Sequence, residues 1–265
     1  MQANIYNDFA SLANQLADAS GEVLRSWFRK PVGVESKADT SPVTEADRAV
    51  ESVIRARIEA VFPAHGIIGE EFGNLRGESE YQWVIDPIDG TRAFMSGFPT
   101  FTTLISLLHN GVPVVGVIDQ PILRERWLGV AGNATACNVN SVRKIVKTRA
   151  ENLSAQTLIG TTSAPYYFSV DEAMAFERVR KICSHTNIGG DAYGYAMLAS
   201  GQFDLFVDVC LKPYDFCALV PVIEGAGGII TDWAGNPLTL ASDGKVIASA
   251  NRKTHDKALE ALAGR

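Results

Sequence analysis

Two acidic side chains, Asp86 and Asp89, stand at the end of an apolar run in residues 83–91, which read WVIDPIDGT. The apolar part predicts a buried strand, and acids at the end of a strand point into a shared crevice. A proline between the acids fixes φ and removes an N–H, and Gly90 lets the backbone come close to a ligand. We therefore predict a rigid turn here rather than a continuing strand. The N–H groups of Gly90 and Thr91 are then placed to receive a phosphate, provided that they open a helix.

Further acids follow short apolar or turn segments elsewhere in the chain. Glu70 and Glu71 come after one such run, and Asp215 precedes the apolar stretch 216–222. Oxygen-only ligands suit Mg²⁺, which keeps several waters and is completed by substrate phosphate, whereas Zn²⁺ recruits His or Cys. The histidines are scattered and no HExxH pattern occurs, so these acids predict a magnesium site that acts on a phosphate group.

Each of these acids also has a purely structural interpretation. Two acids near a turn are ordinarily a solvated Asx-turn, and Asp215 after Pro213 is suited to cap a helix. The spacing from Thr44 to Asp47 is that of a capping box. A carboxylate at Asp47 that is hydrogen-bonded to the Thr91 hydroxyl would instead help that hydroxyl to accept a proton from an attacking water. Both interpretations of Asp47 stay open, and the capping and metal roles of Asp215 can coexist.

Helices alternating with hairpin-linked and crossover strands must position these acids. Apolar residues at helical spacing predict a first amphipathic helix within residues 5–27 and a second within residues 44–61. Between residues 101 and 130 the pattern predicts an antiparallel meander with a turn at Asn110-Gly111. The remaining predictions are strands at 144–147, 158–161, 205–209, 229–231 and 246–248, and helices at 171–183, 191–200, 215–225 and 254–263. This alternation indicates a layered α/β protein with mixed sheets.

The composition is that of a globular protein of enzyme size: the chain has 265 residues, 46% of them hydrophobic and 20% charged. No linker-like stretch divides it, so we predict a single domain over 1–265, for which a division into two lobes, about 1–150 and 151–265, is the alternative. A net charge of −6 without a basic run argues against a nucleic-acid partner. Four cysteines without CxxC spacing favour reduced thiols. Since no leader-like start and no long apolar run occur, we expect a soluble, cytoplasmic protein that does not bind membranes.

The acidic motifs occur in the order and spacing of a known superfamily. The chain resembles the inositol monophosphatase superfamily in EE at 70–71, DPIDGT at 86–91, Asp215, and GAGG at 225–228, and the resemblance extends over essentially the whole chain. It implies an α/β protein of mixed α+β type, folded as a layered α-β-α-β-α sandwich of the inositol monophosphatase and fructose-1,6-bisphosphatase type. It also implies a magnesium-dependent phosphatase with two or three ions per site, and a homodimer.

The resemblance further implies metal ligands. Glu70, Asp86 and the Ile88 carbonyl would hold one Mg²⁺, and Asp86, Asp89 and Asp215 would hold a second, with Asp86 bridging the two. Glu70 would also approach a more weakly held third ion through water.

Other positions take catalytic and substrate-binding roles by the same resemblance. Thr91 and Asp47 would orient the attacking water, and the N–H groups of Gly90 and Thr91 would bind phosphate. Lys37 matches a lysine that the family keeps near its first loop. The implied reaction is in-line attack by water on phosphorus, with no covalent phosphoenzyme.

Within the superfamily, residues 91–101, 191–196 and 211–215 look most like the histidinol-phosphatase branch. Histidinol phosphate carries an amine and an imidazole, so acids beside the leaving group would suit it, and Asp191 and Asp208 match substrate-contacting positions. An inositol ring could use the same carboxylates as acceptors, and Asp208 has the alternative of a solvated strand residue. We therefore expect L-histidinol phosphate, from histidine biosynthesis, as the substrate. The alternatives are a phosphatase of inositol 1-phosphate or other sugar phosphates, and a non-catalytic phosphometabolite-binding protein.

Overall fold

Helices and strands alternate through the chain in the computed structural model, which describes residues 2–31, 33–36, 42–150, 158–161 and 167–265. In these residues the helices are α1 (Gln2–Trp27), α2 (Glu45–Val61), α3 (Thr91–Met95), α4 (Val170–Lys181), α5 (Asp191–Ala199), α6 (Pro213–Phe216), α7 (Leu219–Gly225) and α8 (Arg252–Ala263). The first ten strands are β1 (Val34–Ser36), β2 (Pro42–Thr44), β3 (Gly66–Gly69), β4 (Gly73–Leu75), β5 (Tyr81–Asp89), β6 (Thr102–His109), β7 (Val112–Gln120), β8 (Glu125–Val130), β9 (Ala136–Val139) and β10 (Val142–Ile145). The last five are β11 (Leu158–Thr161), β12 (His185–Ile188), β13 (Leu205–Asp208), β14 (Ile229–Asp232) and β15 (Val246–Ser249).

The strands form two mixed sheets and one small hairpin. The larger sheet has the order β10-β9-β8-β7-β6-β5-β3-β4, the second sheet has the order β12-β11-β13-β15-β14, and β1 pairs with β2. In the larger sheet β3 runs parallel to β5, while β5, β6, β7 and β8 form an antiparallel meander.

Three buried clusters separate the structure into five layers, α-β-α-β-α. Helices α1 and α2 cover one face of the larger sheet, α5, α6 and α7 lie between the two sheets, and α4 and α8 cover the far face of the second sheet. The larger sheet is therefore buried on both faces. In β5, for example, Trp83 and Ile85 pack toward α1 and α2, while Val84 packs toward the middle layer. Burial on both faces explains why this strand reads as a continuous apolar run.

The predicted layered fold class is confirmed, as are the first helix, the meander and its turn. Asn110 and Gly111 have φ values of 51° and 78°, the left-handed pair that a tight hairpin requires. Helix α2 begins with the predicted capping box, in which the Thr44 hydroxyl accepts the Asp47 N–H and the Asp47 carboxylate accepts the Thr44 N–H. The GAGG segment at 225–228 ends helix α7 and leads into strand β14.

Two details differ from the sequence-based predictions. The single helix expected at 215–225 is divided into α6 and α7, because Pro221 has no N–H to donate to the Cys217 carbonyl one turn earlier. Strands β1, β2, β4, β9 and β12 were not predicted, since runs of three or four residues carry little periodicity. Among the described residues, no helix combines the length and the hydrophobicity needed to cross a bilayer.

Candidate active site

Strand β5 includes both acids of the DPIDGT motif and ends at the second of them, Asp89. The rigid turn predicted at this point is wrong: the strand extends to Asp89, and the expected break is a β-bulge. Asp86 pairs with Leu104 and Asp89 with Thr102, so β5 holds one extra residue there. The bulge accommodates Pro87, which cannot donate a ladder hydrogen bond. The result places the Asp86 and Asp89 side chains in one crevice.

Three carboxylates meet in this crevice. Asp86, Asp89 and Asp215 each offer an oxygen atom, and these atoms all lie within 4.8 Å of one another. Helix α6 delivers Asp215, whose carboxylate accepts the Lys212 N–H at 2.6 Å and so caps the helix as well. Both predicted positions of Asp215, at the helix start and among the acids, are therefore observed together.

Glu70 approaches the same crevice from the neighbouring strand. It follows β3, and its N–H donates to the Ile85 carbonyl at 3.3 Å, which extends the parallel pairing of β3 with β5 by one bond. Its position beside Asp86 is reflected in the electrostatics, because Glu70 is the charge that most raises the pKa of Asp86 after burial.

Burial and the neighbouring acids raise the pKa values of these carboxylates. Burial, and then Glu70, raises the pKa of Asp86 well above its ordinary value. Burial, and then Asp191, raises the pKa of Asp89 in the same way. For Asp215 burial raises the pKa to about 7. Crowded buried carboxylates of this kind bind protons or a cation.

The donor set fits a hard divalent cation. All candidate ligands are oxygen atoms, and in the described part of the chain no His or Cys belongs to the cluster, which favours magnesium over zinc. Ile88 lines the same cavity, and its carbonyl accepts the Thr91 hydroxyl at 3.0 Å.

Gly90 and the start of the short helix α3 line the cavity together with these acids. Gly90 has a φ of 83° and precedes α3. A Cβ atom built on Gly90 would lie 2.7 Å from the Asp191 Oδ2 atom, so the close approach of this backbone to Asp191 requires glycine.

The cavity above the acids has a volume of about 210 Å³. Eight of the residues singled out in the sequence line it together: Glu70, Asp86, Ile88, Asp89, Gly90, Thr91, Asp191 and Asp215. Sequence reasoning did not assign a role to the other two lining residues, Arg92 and Tyr167. The Arg92 guanidinium donates to the Tyr167 hydroxyl and lies 5.4 Å from the centre of its ring. Arg92 follows the DPIDGT motif directly and is visible in the sequence, whereas Tyr167 has no sequence neighbour that indicates the site.

Asp47 lies outside the lining of the cavity and is fully buried. Its carboxylate accepts the Thr44 N–H at 2.7 Å and the Thr44 hydroxyl at 2.6 Å. The Thr91 hydroxyl donates to Ile88 instead, and no hydrogen bond joins Asp47 to Thr91 among the described residues. The capping interpretation of Asp47 is confirmed, and its action on Thr91 stays a prediction. Lys37 lies outside the described residues.

The two acids expected at the substrate edge have different positions. Asp191 begins α5 in a left-handed conformation, with a φ of 44°, and lines the cavity. Its pKa is raised to about 6 by burial and then by Asp208. Asp208 is fully buried behind the cavity, where it accepts the Thr161 hydroxyl at 2.9 Å and the Tyr195 hydroxyl at 2.7 Å. The alternative of a solvated strand residue is therefore wrong for Asp208, which does not line the cavity but is near enough to Asp191 to raise its pKa.

A five-layer α/β fold with an oxygen-lined acidic cavity at its strand ends is the arrangement expected of a metal-dependent phosphatase. The model of the inositol monophosphatase family matches residues 6–264, and the chain belongs to that family. The expected superfamily and enzyme class are thus confirmed.

Within the family, the chain is similar to the following two relatives and one solved structure. It is 46% identical to the chloroplastic bifunctional phosphatase IMPL2 of Arabidopsis thaliana, over 96% of this chain and 75% of the relative. It is 36% identical to a histidinol-phosphatase of Chlorobaculum parvum, over 91% of each chain. The structure of an inositol monophosphatase from Zymomonas mobilis superposes with a TM-score of 0.87 at 43% identity, and covers 97% of this chain and 98% of that chain.

Proposed function

We propose that the chain hydrolyses L-histidinol phosphate to L-histidinol and phosphate, in a magnesium-dependent reaction. The observation that carries the substrate assignment is the position of Asp191, a carboxylate that lines the same cavity as the metal-binding acids but lies outside their cluster. A second negative centre beside the phosphate site suits a substrate that is cationic next to its phosphate. The similarity to a histidinol-phosphatase over nine-tenths of both chains supports this choice.

The acids of the crevice would hold the metal. We assign one Mg²⁺ to Glu70, Asp86 and the Ile88 carbonyl, and a second to Asp86, Asp89 and Asp215. When bound, magnesium supplies the positive charge that lowers the pKa of water and stabilises the leaving oxygen. The raised pKa values of the unloaded carboxylates support this assignment, because a divalent cation relieves their mutual repulsion.

The residues around the metal would bind phosphate and orient water. Gly90 and Thr91 lie at the start of α3 and line the cavity. Their N–H groups would donate to phosphate oxygens there. The Thr91 hydroxyl donates its own hydrogen to the Ile88 carbonyl, so its lone pairs remain to accept a hydrogen bond from the attacking water and orient it. Asp47, whose carboxylate also holds Thr44 at the start of α2, is assigned with Thr91 to orienting this water.

Recognition of the alcohol part of the substrate would fall to Asp191. Its carboxylate would pair with the ammonium group of histidinol phosphate, and Asp208 would support it from below. Arg92 and Tyr167 also line the cavity, and this pair would limit the size of the leaving group.

Inositol 1-phosphate is the second candidate substrate, since the chain superposes closely on an inositol monophosphatase at 43% identity. In this case Asp191 would accept hydrogen bonds from ring hydroxyls. The hydrogen bond from a charged ammonium to a carboxylate is stronger than the one from a neutral hydroxyl by about 1 to 2 kcal/mol. This difference separates the two candidates in an experiment.

The test is kcat/KM on both substrates for the wild-type protein and for Asp191→Asn. We expect wild type to prefer histidinol phosphate, and the variant to lose at least about tenfold on histidinol phosphate with a smaller change on inositol 1-phosphate. Asp171→Asn, an exposed acid of α4, is the matched control and should change neither value. A wild-type preference for inositol 1-phosphate would refute the proposed substrate while keeping the metal site.

We further propose that residues 1–265 act as one phosphatase domain of two lobes, and that it works as a cytoplasmic homodimer. Analytical ultracentrifugation of the purified chain tests the dimer: a single species at twice the chain mass is expected, and a monomer at micromolar concentration would contradict it.

A further inference from the structure

A glutamate of helix α2, Glu51, is completely buried although it is acidic. Buried carboxylates are rare unless their oxygen atoms are paired, because leaving water is costly for a charge. The bonds of Glu51 therefore indicate what its burial achieves.

The Glu51 carboxylate binds the backbone of the loop that follows β3. Its Oε2 atom accepts the Glu71 N–H at 2.7 Å, and its Oε1 atom accepts the Phe72 N–H at 3.2 Å. Arg55, one helical turn later, donates to Oε1 at 2.7 Å and also donates to the Gly73 carbonyl. The buried ion pair thus holds three consecutive residues, Glu71 and Phe72 of the loop and Gly73 at the start of β4.

The loop held in this way carries Glu70, and both sides of Glu70 are fixed. Before the loop, the Glu70 N–H donates to Ile85 of β5; after it, the next two N–H groups donate to Glu51. Space is reserved for this contact, since a Cβ atom built on Gly69 would lie 1.9 Å from Glu51 Oε1. Any other residue at position 69 would displace the carboxylate.

We infer that Glu51, held by Arg55, is a positioning residue that fixes loop 70–73 so that the Glu70 carboxylate stays directed at the metal site. The inference rests on the proposed function, in which Glu70 is a metal ligand. Glu51 itself does not line the cavity. Its effect is expected on metal affinity, because a ligand on a loosely held loop must be ordered when the metal binds.

The first test measures Mg²⁺ binding to the metal-free protein by isothermal titration calorimetry at pH 8. Glu51→Gln keeps the volume of the side chain but points an amide NH₂ at loop N–H groups, so we expect Mg²⁺ to bind about 10 to 100 times more weakly. Glu59→Gln makes the same change on the exposed side of α2 and should leave the affinity unchanged. Wild-type affinity in Glu51→Gln would overturn the inference.

A double-mutant cycle separates positioning from general loss of stability. If Glu51 acts through Glu70, Glu51→Gln should weaken Mg²⁺ binding in the wild-type background and have almost no further effect in Glu70→Gln. Equal effects in both backgrounds would show a role that does not pass through Glu70 and would refute the inference. Wild-type affinity in Glu70→Gln alone would instead refute the proposed metal ligand, so the two failures are distinguishable.

Arg55→Lys is the second variant, for use if Glu51→Gln does not fold. It keeps the positive charge beside Glu51 but removes the guanidinium, which donates to Glu51 and to the Gly73 carbonyl at the same time. We expect a several-fold weaker Mg²⁺ affinity in the same calorimetric assay, and an unchanged affinity would count against the inference.

Discussion

Replacement of Asp215 by Asn should make the metal-free protein more stable than wild type at alkaline pH. Once magnesium is present, the variant should be less stable than wild type. Burial raises the pKa of Asp215 from its ordinary value of 3.8 to about 7. The folded chain therefore holds this proton more tightly than the unfolded chain does. The resulting cost to stability is absent below pH 3.8, grows as the pH rises, and is complete above pH 7.

The structure sets the size of this effect. A difference of about three pKa units corresponds to about 4 kcal/mol at full strength. Asp215 is only partly buried, so solvent screening reduces the expected gain to about 2 kcal/mol. An asparagine carries no charge at any pH, and its carbonyl can still accept the Lys212 N–H. For a chain of this length, about 2 kcal/mol corresponds to a rise in Tm of about 4 to 8 °C.

Thermal unfolding followed by circular dichroism tests this prediction, in EDTA and in saturating Mg²⁺, at pH 5 and pH 8. In EDTA at pH 8 the variant should melt above wild type, and at pH 5 the difference should shrink. In Mg²⁺ the order should reverse, because wild type gains about 2.7 kcal/mol at a concentration of one hundred times Kd. Asp8→Asn, an exposed acid of α1, is the matched control. A variant that melts at or below wild type in EDTA at pH 8 would refute the electrostatic reasoning.

Three further predictions concern Asp89, Asp215 and His255. Asp89→Asn should abolish phosphate release while circular dichroism shows an intact fold, because the amide still accepts the Ala192 N–H but is a poor metal ligand; retained turnover would contradict the assignment. The apparent Mg²⁺ affinity measured by calorimetry should fall about tenfold per pH unit below 7, since a proton must leave Asp215, and an affinity independent of pH would count against it. His255 is fully buried between Thr231 and Ser249, and burial lowers its pKa to about 4. Because the unfolded chain binds this proton near pH 6.5, stability should be lost as the pH falls toward 5, by about 2 kcal/mol, and His255→Gln should flatten that slope in urea titrations.

Much of the fold follows from the sequence because its long elements have strong periodicity. Helix α2 is an example: a capping box at Thr44 begins it, apolar residues recur at helical spacing, and Pro63 follows its end. The acids of the crevice were also predictable, since each stands beside an apolar run that had to be buried. Strand order was not predictable from these patterns, because pairing of β5 with β3 on one side and β6 on the other depends on tertiary packing.

The parts of the site that sequence reasoning missed are those formed by residues far apart in the chain. Pro87 was interpreted as the end of a strand, whereas a bulge lets β5 continue past it. Tyr167 reaches the cavity from a segment 75 residues after Arg92, and no local pattern connects them. Asp208 matched a substrate-contacting position, but the hydroxyl groups of Thr161 and Tyr195 that bind it are visible only in three dimensions.

The most direct test of the metal site is anomalous diffraction from crystals soaked in Mn²⁺, which takes the place of Mg²⁺ and scatters anomalously. We expect a peak within coordination distance of Asp86, Asp89 and Asp215, and a second between Glu70, Asp86 and the Ile88 carbonyl. Peaks only at surface carboxylates, with none among these residues, would contradict the proposal that this crevice is the catalytic metal centre.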